Sequence, residues 1–280
     1  MEVIVLNTKR RDKIAGAIYG FAIGDAMGAT TEFMTAAQIK SIYGKIENIV
    51  GGGWLRLKPG EITDDTQMTI CVMNALMNTL DMYDPTGYWF MHECRKEFIN
   101  WFMSRPKDVG NQCSKAILYM MSGKLGIYKD NKALGNGSLM RAMPCALLNK
   151  TFLNGLQGRM THNNTTCSQI IQDYSILLQR YLDNKIYVGN IKSVLSPSGY
   201  IINTYNNSVY WSCQETFEDA ILGAVNHGGD ADTIAAITGS LAGARFGYKN
   251  IPKKWIDQLN PEVKIFLEKF KNFVFTYLQI

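Results

Sequence analysis

Four glycines recur at every fourth position of GAIYGFAIGDAMG, residues 16–28, and this segment is the clearest clue to the fold. The segment 235–247 repeats the spacing with one alanine and three glycines. Residues four apart lie on one face of an α-helix, and an interior glycine costs about 1 kcal/mol relative to alanine. Such a face predicts that two helices from opposite ends of the chain pack closely together. Glycine faces also mark dimers of membrane helices, but the charges of Asp25 and Arg245 exclude that reading here.

Helical periodicity dominates the rest of the chain. Short Val/Ile stretches at 3–5 and 46–50 are the only strand signals, and neither can build a sheet. No linker or low-complexity block divides the sequence, so we predict one all-α domain over residues 1–280. The clearest helical segments are 13–29, 66–80, 85–104, 112–122, 166–183, 216–225, 233–246 and 261–278.

The composition favours a folded protein and argues against several partners. The 46% hydrophobic fraction suffices for a large core, and a charged fraction of 19% argues against disorder. The net charge of +5 is spread along the sequence, whereas nucleic-acid binders usually concentrate it, so the signal for nucleic acid is weak. No apolar run reaches the roughly 18 residues that a membrane span needs.

Cysteine usage predicts a reducing compartment. The six cysteines lie far apart and form no CxxC pair, which does not suit a zinc site. A chain of this length needs no disulfide framework. The apolar stretch near its N-terminus is too short for a signal peptide, and the basic residues follow that stretch instead of preceding it. We therefore expect reduced, mostly buried thiols in a cytoplasmic protein.

Two acidic clusters each stand directly before a long helical segment. The first is TDDT, residues 63–66, and the second is HGGDADT, residues 227–233. Capping is one explanation, because Asp and Thr side chains accept hydrogen bonds from the free amides of a first helical turn. A helix needs only one cap, however, and neighbouring carboxylates repel each other unless a cation offsets their charge. A metal site is the alternative.

The donor atoms indicate which metals would suit such a site. Carboxylate and hydroxyl oxygens are hard ligands that favour Mg²⁺ or Mn²⁺ over zinc or copper. Four aspartates suffice for two ions about 4 Å apart, an arrangement that activates water and clamps an oxygen-rich substrate. Glu32, just after the first glycine helix, supplies a further carboxylate.

Two other motifs are candidates for substrate contacts. The glycines of GNGSLMR, residues 135–141, suit a loop whose amides wrap a phosphate, although Asn-Gly is also a common turn pair. His162 in THNN is either a substrate contact or a polar residue at a helix start, and His227 is similarly ambiguous. No GxSxG, HExxH or P-loop motif is present.

Together these motifs resemble the ADP-ribosylglycohydrolase family, and within it the dinitrogenase reductase-activating glycohydrolases of bacteria. They follow the family's order, and the pair TDDT and GGDADT with the GDAMG helix is the most specific part. Thr165 stands where the family often has proline. The matching segments are GAIYGFAIGDAMGATTEF (16–33), GGGWLRLKPGEITDDTQM (51–68), GNGSLMRAMP (135–144), THNN (161–164) and NHGGDADTIAAITGSLAGARFG (226–247).

The resemblance implies an orthogonal bundle of about a dozen helices around a central dinuclear Mg²⁺ or Mn²⁺ site. It also implies hydrolysis of the bond between C1 of ADP-ribose and a protein side chain, most often arginine. The implied metal ligands are Thr63, Asp64, Asp65, Asp230, Asp232 and Thr233. The implied catalytic residues are Glu32, Asp65 and Asp232. The implied substrate contacts are Gly135, Asn136 and Gly137 at the diphosphate and His162 at the ribose.

Other functions are compatible with parts of this pattern. A two-metal phosphoesterase could direct water at phosphorus and would release AMP, whereas a glycohydrolase releases free ADP-ribose. A purely structural family member would keep only the fold, but here all six ligand positions carry oxygen donors. An ADP-ribose binding module would not need so many carboxylates. Within the family, ADP-ribosylserine and O-acyl-ADP-ribose are alternative substrates to ADP-ribosylarginine.

Overall fold

The computed structural model describes residues 2–123, 127–130, 132–185 and 193–280. Over these residues the protein is built from thirteen α-helices and two short 3₁₀ helices, and its β-pairing is limited to three isolated bridges. The predicted all-α fold of about a dozen helices is therefore confirmed. The helices are α1 (Glu2–Gly28), α2 (Ala36–Tyr43), α3 (Asp64–Thr79), α4 (Tyr88–Met103), α5 (Asn111–Met121), α6 (Met143–Leu147), α7 (Thr151–Arg159), α8 (Thr165–Leu182), α9 (Ile201–Ser212), α10 (Phe217–His227), α11 (Ala231–Phe246), α12 (Lys253–Gln258) and α13 (Pro261–Leu278).

The antiparallel pair of α1 and α11 forms the centre of the fold. A Cβ atom added to Gly20 would lie 2.2 Å from the carbonyl oxygen of Gly239, and one added to Gly239 would lie 1.9 Å from that of Gly20. Gly16 and Gly243 approach each other in the same way. No side chain fits at these separations, so the close packing predicted from the two glycine faces is confirmed.

Helix α11 is enclosed on every side. Its residues from Ala231 to Ala244 are all buried, and α8, α9 and α10 pack around it together with α1. A helix built from apolar and small residues all round is typical of a core position. Because the second acidic cluster stands at the start of α11, the fold carries that cluster into the interior.

The first helix is longer than the sequence predicts. It begins at Glu2 instead of residue 13, so the strand signal at 3–5 is wrong. Arg10 donates to Asp183 at 2.6 Å and Lys13 donates to the Tyr181 carbonyl at 2.5 Å, both at the end of α8. These contacts hold the early turns of α1 in place. The second strand signal, 46–50, is an irregular segment.

Several helices lack a helical signature in the sequence, and α9 shows why. Four of its six buried residues are polar, so no apolar period marks its inner face. Asn207 and Leu195 exchange hydrogen bonds at 2.7 and 3.2 Å, and the Ser208 hydroxyl donates to the Ile234 carbonyl at 3.1 Å. Tertiary contacts thus override low helix propensity. Helices α2, α6, α7 and α12 also went unpredicted, and each has nine residues or fewer.

The cysteines agree with the prediction of reduced, mostly buried thiols, because all six are free and five of them are buried. Among the helices of the described residues, none has both the length and the apolar character needed to cross a membrane.

Candidate active site

The first acidic cluster begins α3 with more polar groups than a cap requires. Thr63 is the cap, because its hydroxyl oxygen accepts from the Asp65 amide at 3.2 Å. The Thr63 hydroxyl proton is directed to Asp25, 2.8 Å away, which leaves one lone pair of this oxygen free. Asp64 and Asp65 are buried beside it. Thr63 alone caps α3, so capping does not explain the presence of the two carboxylates.

The second cluster departs further from a capping role. Asp230 occupies the N-cap position of α11, but its side chain makes no capping hydrogen bond. It accepts instead from the side-chain amide of Asn136 at 2.5 Å. Asp232 accepts from the Thr233 amide at 2.8 Å, and the Thr233 hydroxyl reaches Asp65 at 3.3 Å. The two clusters therefore meet directly through Thr233 and Asp65.

Glycine is required where the chain enters the second cluster. Gly229 has φ of 66°, and a Cβ atom there would lie 1.9 Å from the Pro197 carbonyl oxygen. The Asp230 amide donates to that same carbonyl at 3.0 Å. A side chain at position 229 would push the loop off Pro197 and would shift Asp230 with it.

Carboxylates from distant parts of the chain converge here. One oxygen each from Glu32, Asp230 and Asp232 lie within 4.8 Å of one another, close enough to share a metal ion. Asp64 and Asp65 line the same cavity. In addition, Asp65 Oδ1 is buried with no hydrogen-bond partner among the described residues. Such an oxygen is costly to bury unless a cation meets it, so these residues fit a site for hard divalent ions.

The pKa values of these carboxyl groups also indicate a metal site. Burial raises the pKa of Glu32 and of Asp64 to about 8, and that of Asp230 to about 6. Burial followed by repulsion from neighbouring carboxylates raises the pKa of Asp65 and of Asp232 as well. The protein side chains alone therefore disfavour the charged forms of all five groups, and bound cations would reverse that preference.

The cavity above this cluster has a volume of about 570 Å³. The structure brings together every site residue predicted from the sequence except Thr63, which lies just behind the cavity wall. The predicted residues that line it are Glu32, Asp64, Asp65, Gly135, Asn136, Gly137, His162, Asp230, Asp232 and Thr233.

The 135–137 loop and His162 line the same cavity as the carboxylates. A Cβ atom added to Gly135 would lie 3.3 Å from Nε2 of His162, and one added to Gly137 would lie 2.8 Å from its Cε1. Glycine is therefore needed at position 137 for the ring to lie against the loop, and a side chain at position 135 would make a tight contact with the ring. His162 is buried and belongs to the cavity, whereas Asn164 caps α8. His162 was predicted to be either a substrate contact or a polar residue at a helix start, and its position in the cavity favours the substrate contact.

Sequence reasoning missed three residues that belong to this site. Asp108 lines the cavity from the loop between α4 and α5, where an isolated aspartate carries no spacing signal. Asp25 is fully buried behind Thr63, and a charged residue in a glycine-rich helix was an available clue. Trp54 donates from its indole nitrogen to Glu32 at 2.5 Å, and the preceding three glycines mark its loop.

Aromatic rings form one edge of the cavity mouth. Trp54 is 49% exposed and Phe33 is 67% exposed, and their ring centroids lie 5.4 Å apart. Both residues line the cavity beside Glu32.

His227 lies outside this cavity and packs on Trp211, with ring centroids 5.8 Å apart. The ambiguity over His227 is thus resolved against a place in the site.

Comparison with known proteins agrees with this arrangement. The family model for ADP-ribosylglycohydrolase matches residues 6–185 and 169–274 of the chain. The chain belongs to the ADP-ribosylglycohydrolase family. This membership confirms the resemblance seen in the motifs, and it confirms the prediction of a hydrolase.

Individual members of the ADP-ribosylglycohydrolase family are similar over most of the chain. The ADP-ribosyl-[dinitrogen reductase] glycohydrolase of Rhodospirillum rubrum is 36% identical, covering 90% of this chain and 92% of its own length. ADP-ribosylarginine hydrolase Tri1 of Serratia proteamaculans is 30% identical, covering 94% and 79% respectively. A solved structure titled "ADP-ribosylglycohydrolase-related protein complex" superposes with a TM-score of 0.79 at 25% identity, covering 97% of this chain and 99% of that one.

Proposed function

We propose that this protein is a divalent-metal-dependent hydrolase that releases ADP-ribose from modified arginine side chains of proteins. The observation that carries the proposal is the meeting of Glu32, Asp230 and Asp232 within 4.8 Å. They lie in a cavity that is also lined by the glycine-rich 135–137 loop. The cavity thus offers hard metal ligands together with backbone suited to a diphosphate.

The proposed cofactor is a pair of Mg²⁺ or Mn²⁺ ions. Bound there, the ions would supply charge compensation and Lewis acidity toward the ribose oxygens. Trp54 occupies one oxygen of Glu32, which leaves the other oxygen free to face the cluster. The residues that would hold the ions are Thr63, Asp64, Asp65, Asp230, Asp232 and Thr233, with Glu32 adjacent.

The remaining residues would bind substrate and move protons. The 135–137 loop would hold the diphosphate, and His162 would contact the ribose. A carboxylate within the cavity, Glu32 or Asp108, would accept the proton of the water that attacks C1. Cleavage of the bond between C1 and the guanidine nitrogen, with return of that proton from the carboxyl group to the leaving nitrogen, would then release free ADP-ribose and unmodified, protonated arginine.

Two observations favour arginine over serine as the acceptor. Two relatives, from Serratia proteamaculans and Pseudomonas putida, carry the name ADP-ribosylarginine hydrolase Tri1. The exposed rings of Phe33 and Trp54 also stand beside carboxylates at the cavity mouth, a setting that suits a planar cation such as guanidinium. ADP-ribosylserine and O-acyl-ADP-ribose lack that charge, and they are the alternative substrates.

We also propose that residues 1–280 form one domain, because α1 and α11 from opposite ends of the chain pack on each other. A cytoplasmic location stays a prediction, with which the free, buried cysteines agree.

The assay measures products released from arginine-modified and serine-modified peptides by protein treated with EDTA. We expect free ADP-ribose from the arginine peptide only after Mn²⁺ or Mg²⁺ is restored, with little rescue by Zn²⁺. Release of AMP would indicate a phosphoesterase instead. Exclusive cleavage of the serine peptide would overturn the choice of acceptor, and full activity in EDTA would overturn the metal site.

A further inference from the structure

Arg141 carries a fully buried guanidinium beneath the 135–137 loop. It has no carboxylate partner among the ion pairs of the described residues, and the Phe98 ring lies 4.8 Å from its central carbon. All five of its N–H groups are nevertheless used. The acceptors are the Gln157 side chain and carbonyl, the Gly137 carbonyl, the Cys113 sulfur and the Thr161 hydroxyl. A buried charge without a counter-ion is costly, so the arrangement calls for a role beyond filling space.

Two of these bonds lead toward residues that line the cavity, Gly137 and His162. Arg141 donates to the Gly137 carbonyl at 2.6 Å and to the Thr161 hydroxyl oxygen at 2.6 Å. The first bond fixes the glycine loop. The second reaches a hydroxyl that lies 2.8 Å from Nδ1 of His162. One guanidinium therefore fixes the position of the 135–137 loop directly and that of His162 through Thr161.

The direction of these hydrogen bonds follows from the donors available. Arginine can only donate, so the Thr161 oxygen is the acceptor of that bond. The Thr161 proton can then go to His162 Nδ1 or to the neighbouring Cys113 thiol, and sulfur is the weaker acceptor. Donation from the guanidinium also polarises the hydroxyl and strengthens it as a donor. Nδ1 of His162 is thus an acceptor, which places the ring proton on Nε2.

We infer that Arg141 and Thr161 form a one-way hydrogen-bond relay that holds His162 as the neutral Nε2–H tautomer, so that the ring donates a hydrogen bond to a substrate oxygen beside the 135–137 loop. Nε2 is the atom of His162 that would lie 3.3 Å from a Cβ atom on Gly135. Burial and the charge of Arg141 lower the pKa of His162 to about 3, which keeps the ring neutral at physiological pH. Arg141 and Thr161 are positioning residues in this scheme.

The tautomer can be measured without substrate by ¹⁵N NMR of the imidazole nitrogens in the full-length protein. The chain has three histidines, so His162→Gln assigns the signal. We expect a protonated Nε2 and an unprotonated Nδ1, unchanged from pH 5 to pH 8. Thr161→Ser should keep this pattern, because it keeps the hydroxyl. Thr161→Val should give a mixture of tautomers and lower kcat/KM on the order of tenfold, with Thr161→Ser restoring it.

The matched control is Thr238→Val, a second buried threonine, whose hydroxyl has no hydrogen-bond partner among the described residues and which lies outside the cavity. It should leave the tautomer and kcat/KM unchanged. A wild-type His162 protonated at Nδ1, or a Thr161→Val protein with an unchanged tautomer, would overturn the relay. A changed tautomer with unchanged kcat/KM would overturn the donor role. The donor role rests on the proposed function, but the tautomer does not: failure of that function would appear as no ADP-ribose release from the wild type while the NMR result stands.

Discussion

Asp25 accepts hydrogen bonds from both the amide and the hydroxyl of Thr63, at 3.1 and 2.8 Å. It also accepts from the Thr66 amide at 3.0 Å. Because Asp25 belongs to α1 and Thr63 caps α3, these bonds connect α1 to the first acidic cluster. Burial raises the pKa of Asp25, whereas the bonds from Thr66 and Thr63 favour its carboxylate form. Asp25 thus fixes the orientation of a proposed metal ligand without lining the cavity.

Asp25→Asn should therefore weaken metal binding indirectly, by loosening the orientation of Thr63. Asparagine offers one acceptor oxygen, and its amide group would face N–H or O–H donors. We expect a loss of about 1–3 kcal/mol in unfolding free energy and a weaker affinity for Mn²⁺. Thermal melting and titration calorimetry measure both. Asp219→Asn, at the exposed start of α10, is the control and should change neither beyond a few tenths of a kcal/mol. Unchanged Mn²⁺ affinity in Asp25→Asn would contradict the positioning role.

Asp232→Asn distinguishes a metal ligand from a carboxylate that only stabilises the first turn of α11. Asp230 holds the N-cap position, and a first-turn carboxylate contributes about 0.3–1 kcal/mol through the helix dipole, so a purely structural Asp232 would tolerate the change. Loss of one anion from a site for two divalent ions should instead lower metal affinity steeply and reduce turnover by orders of magnitude, with the fold intact. Thr216→Ala is the control, because Thr216 caps α10 by accepting from the Asp219 amide at 3.0 Å. It should cost about 1 kcal/mol of stability and leave turnover alone. Normal turnover and metal content in Asp232→Asn would leave Asp232 with only a structural role in the first turn of α11.

Stability without metal should fall as pH rises. The pKa of Glu32 and of Asp64 is raised to about 8 in the folded protein and that of Asp230 to about 6, above their ordinary values of 4.5 and 3.8. The folded state therefore binds more protons than the unfolded state between about pH 4 and pH 8, and its stability is lost across that window as pH increases. In EDTA we expect a lower Tm at pH 8 than at pH 5. Added Mn²⁺ should raise Tm more at pH 8, and equal shifts at both values would argue against the buried cluster as the metal site.

Phe33→Ala tests the aromatic edge of the cavity mouth. Loss of the exposed ring should raise KM for the arginine-modified peptide about two- to fivefold, which is the size of an exposed cation–π contact. Activity on an uncharged acceptor should not change. Phe152→Ala is the matched control, since Phe152 is 56% exposed at another surface. Equal KM values for wild type and Phe33→Ala would remove the ring from acceptor recognition.

Two glycine-to-alanine changes test the central helix pair. A Cβ atom at Gly239 would lie 1.9 Å from the Gly20 carbonyl oxygen, whereas one at Gly155 in α7 meets nothing within 4 Å. Gly239→Ala should therefore separate α1 from α11 and destabilise the protein by about 1–3 kcal/mol or more. Gly155→Ala should stabilise it by about 0.5–1 kcal/mol, because alanine loses less backbone entropy in a helix. Denaturant unfolding checks both signs.

Features that depend on local spacing were predictable from the sequence. The four-residue glycine repeats predicted the central helix pair, because backbone geometry alone places such residues on one face. The two acidic clusters predicted hard-metal ligands, because the chemistry of a carboxylate does not depend on the fold. Caps such as Thr63 and Thr216 could likewise be read beside the helices that they start. All of this information lies within a few residues along the chain.

The contacts between distant residues, by contrast, depend on tertiary packing. Trp54 reaches Glu32 across 22 positions and Asn136 reaches Asp230 across 94, and no local pattern encodes either pair. Helix α9 folds despite its polar composition because α11 and the segment near Leu195 satisfy its side chains. Likewise, tertiary packing alone brings acceptors to all five N–H groups of Arg141. Local sequence sets the geometry of each helix and the chemistry of each side chain, whereas packing sets distances between helices, and the candidate site is made of those distances.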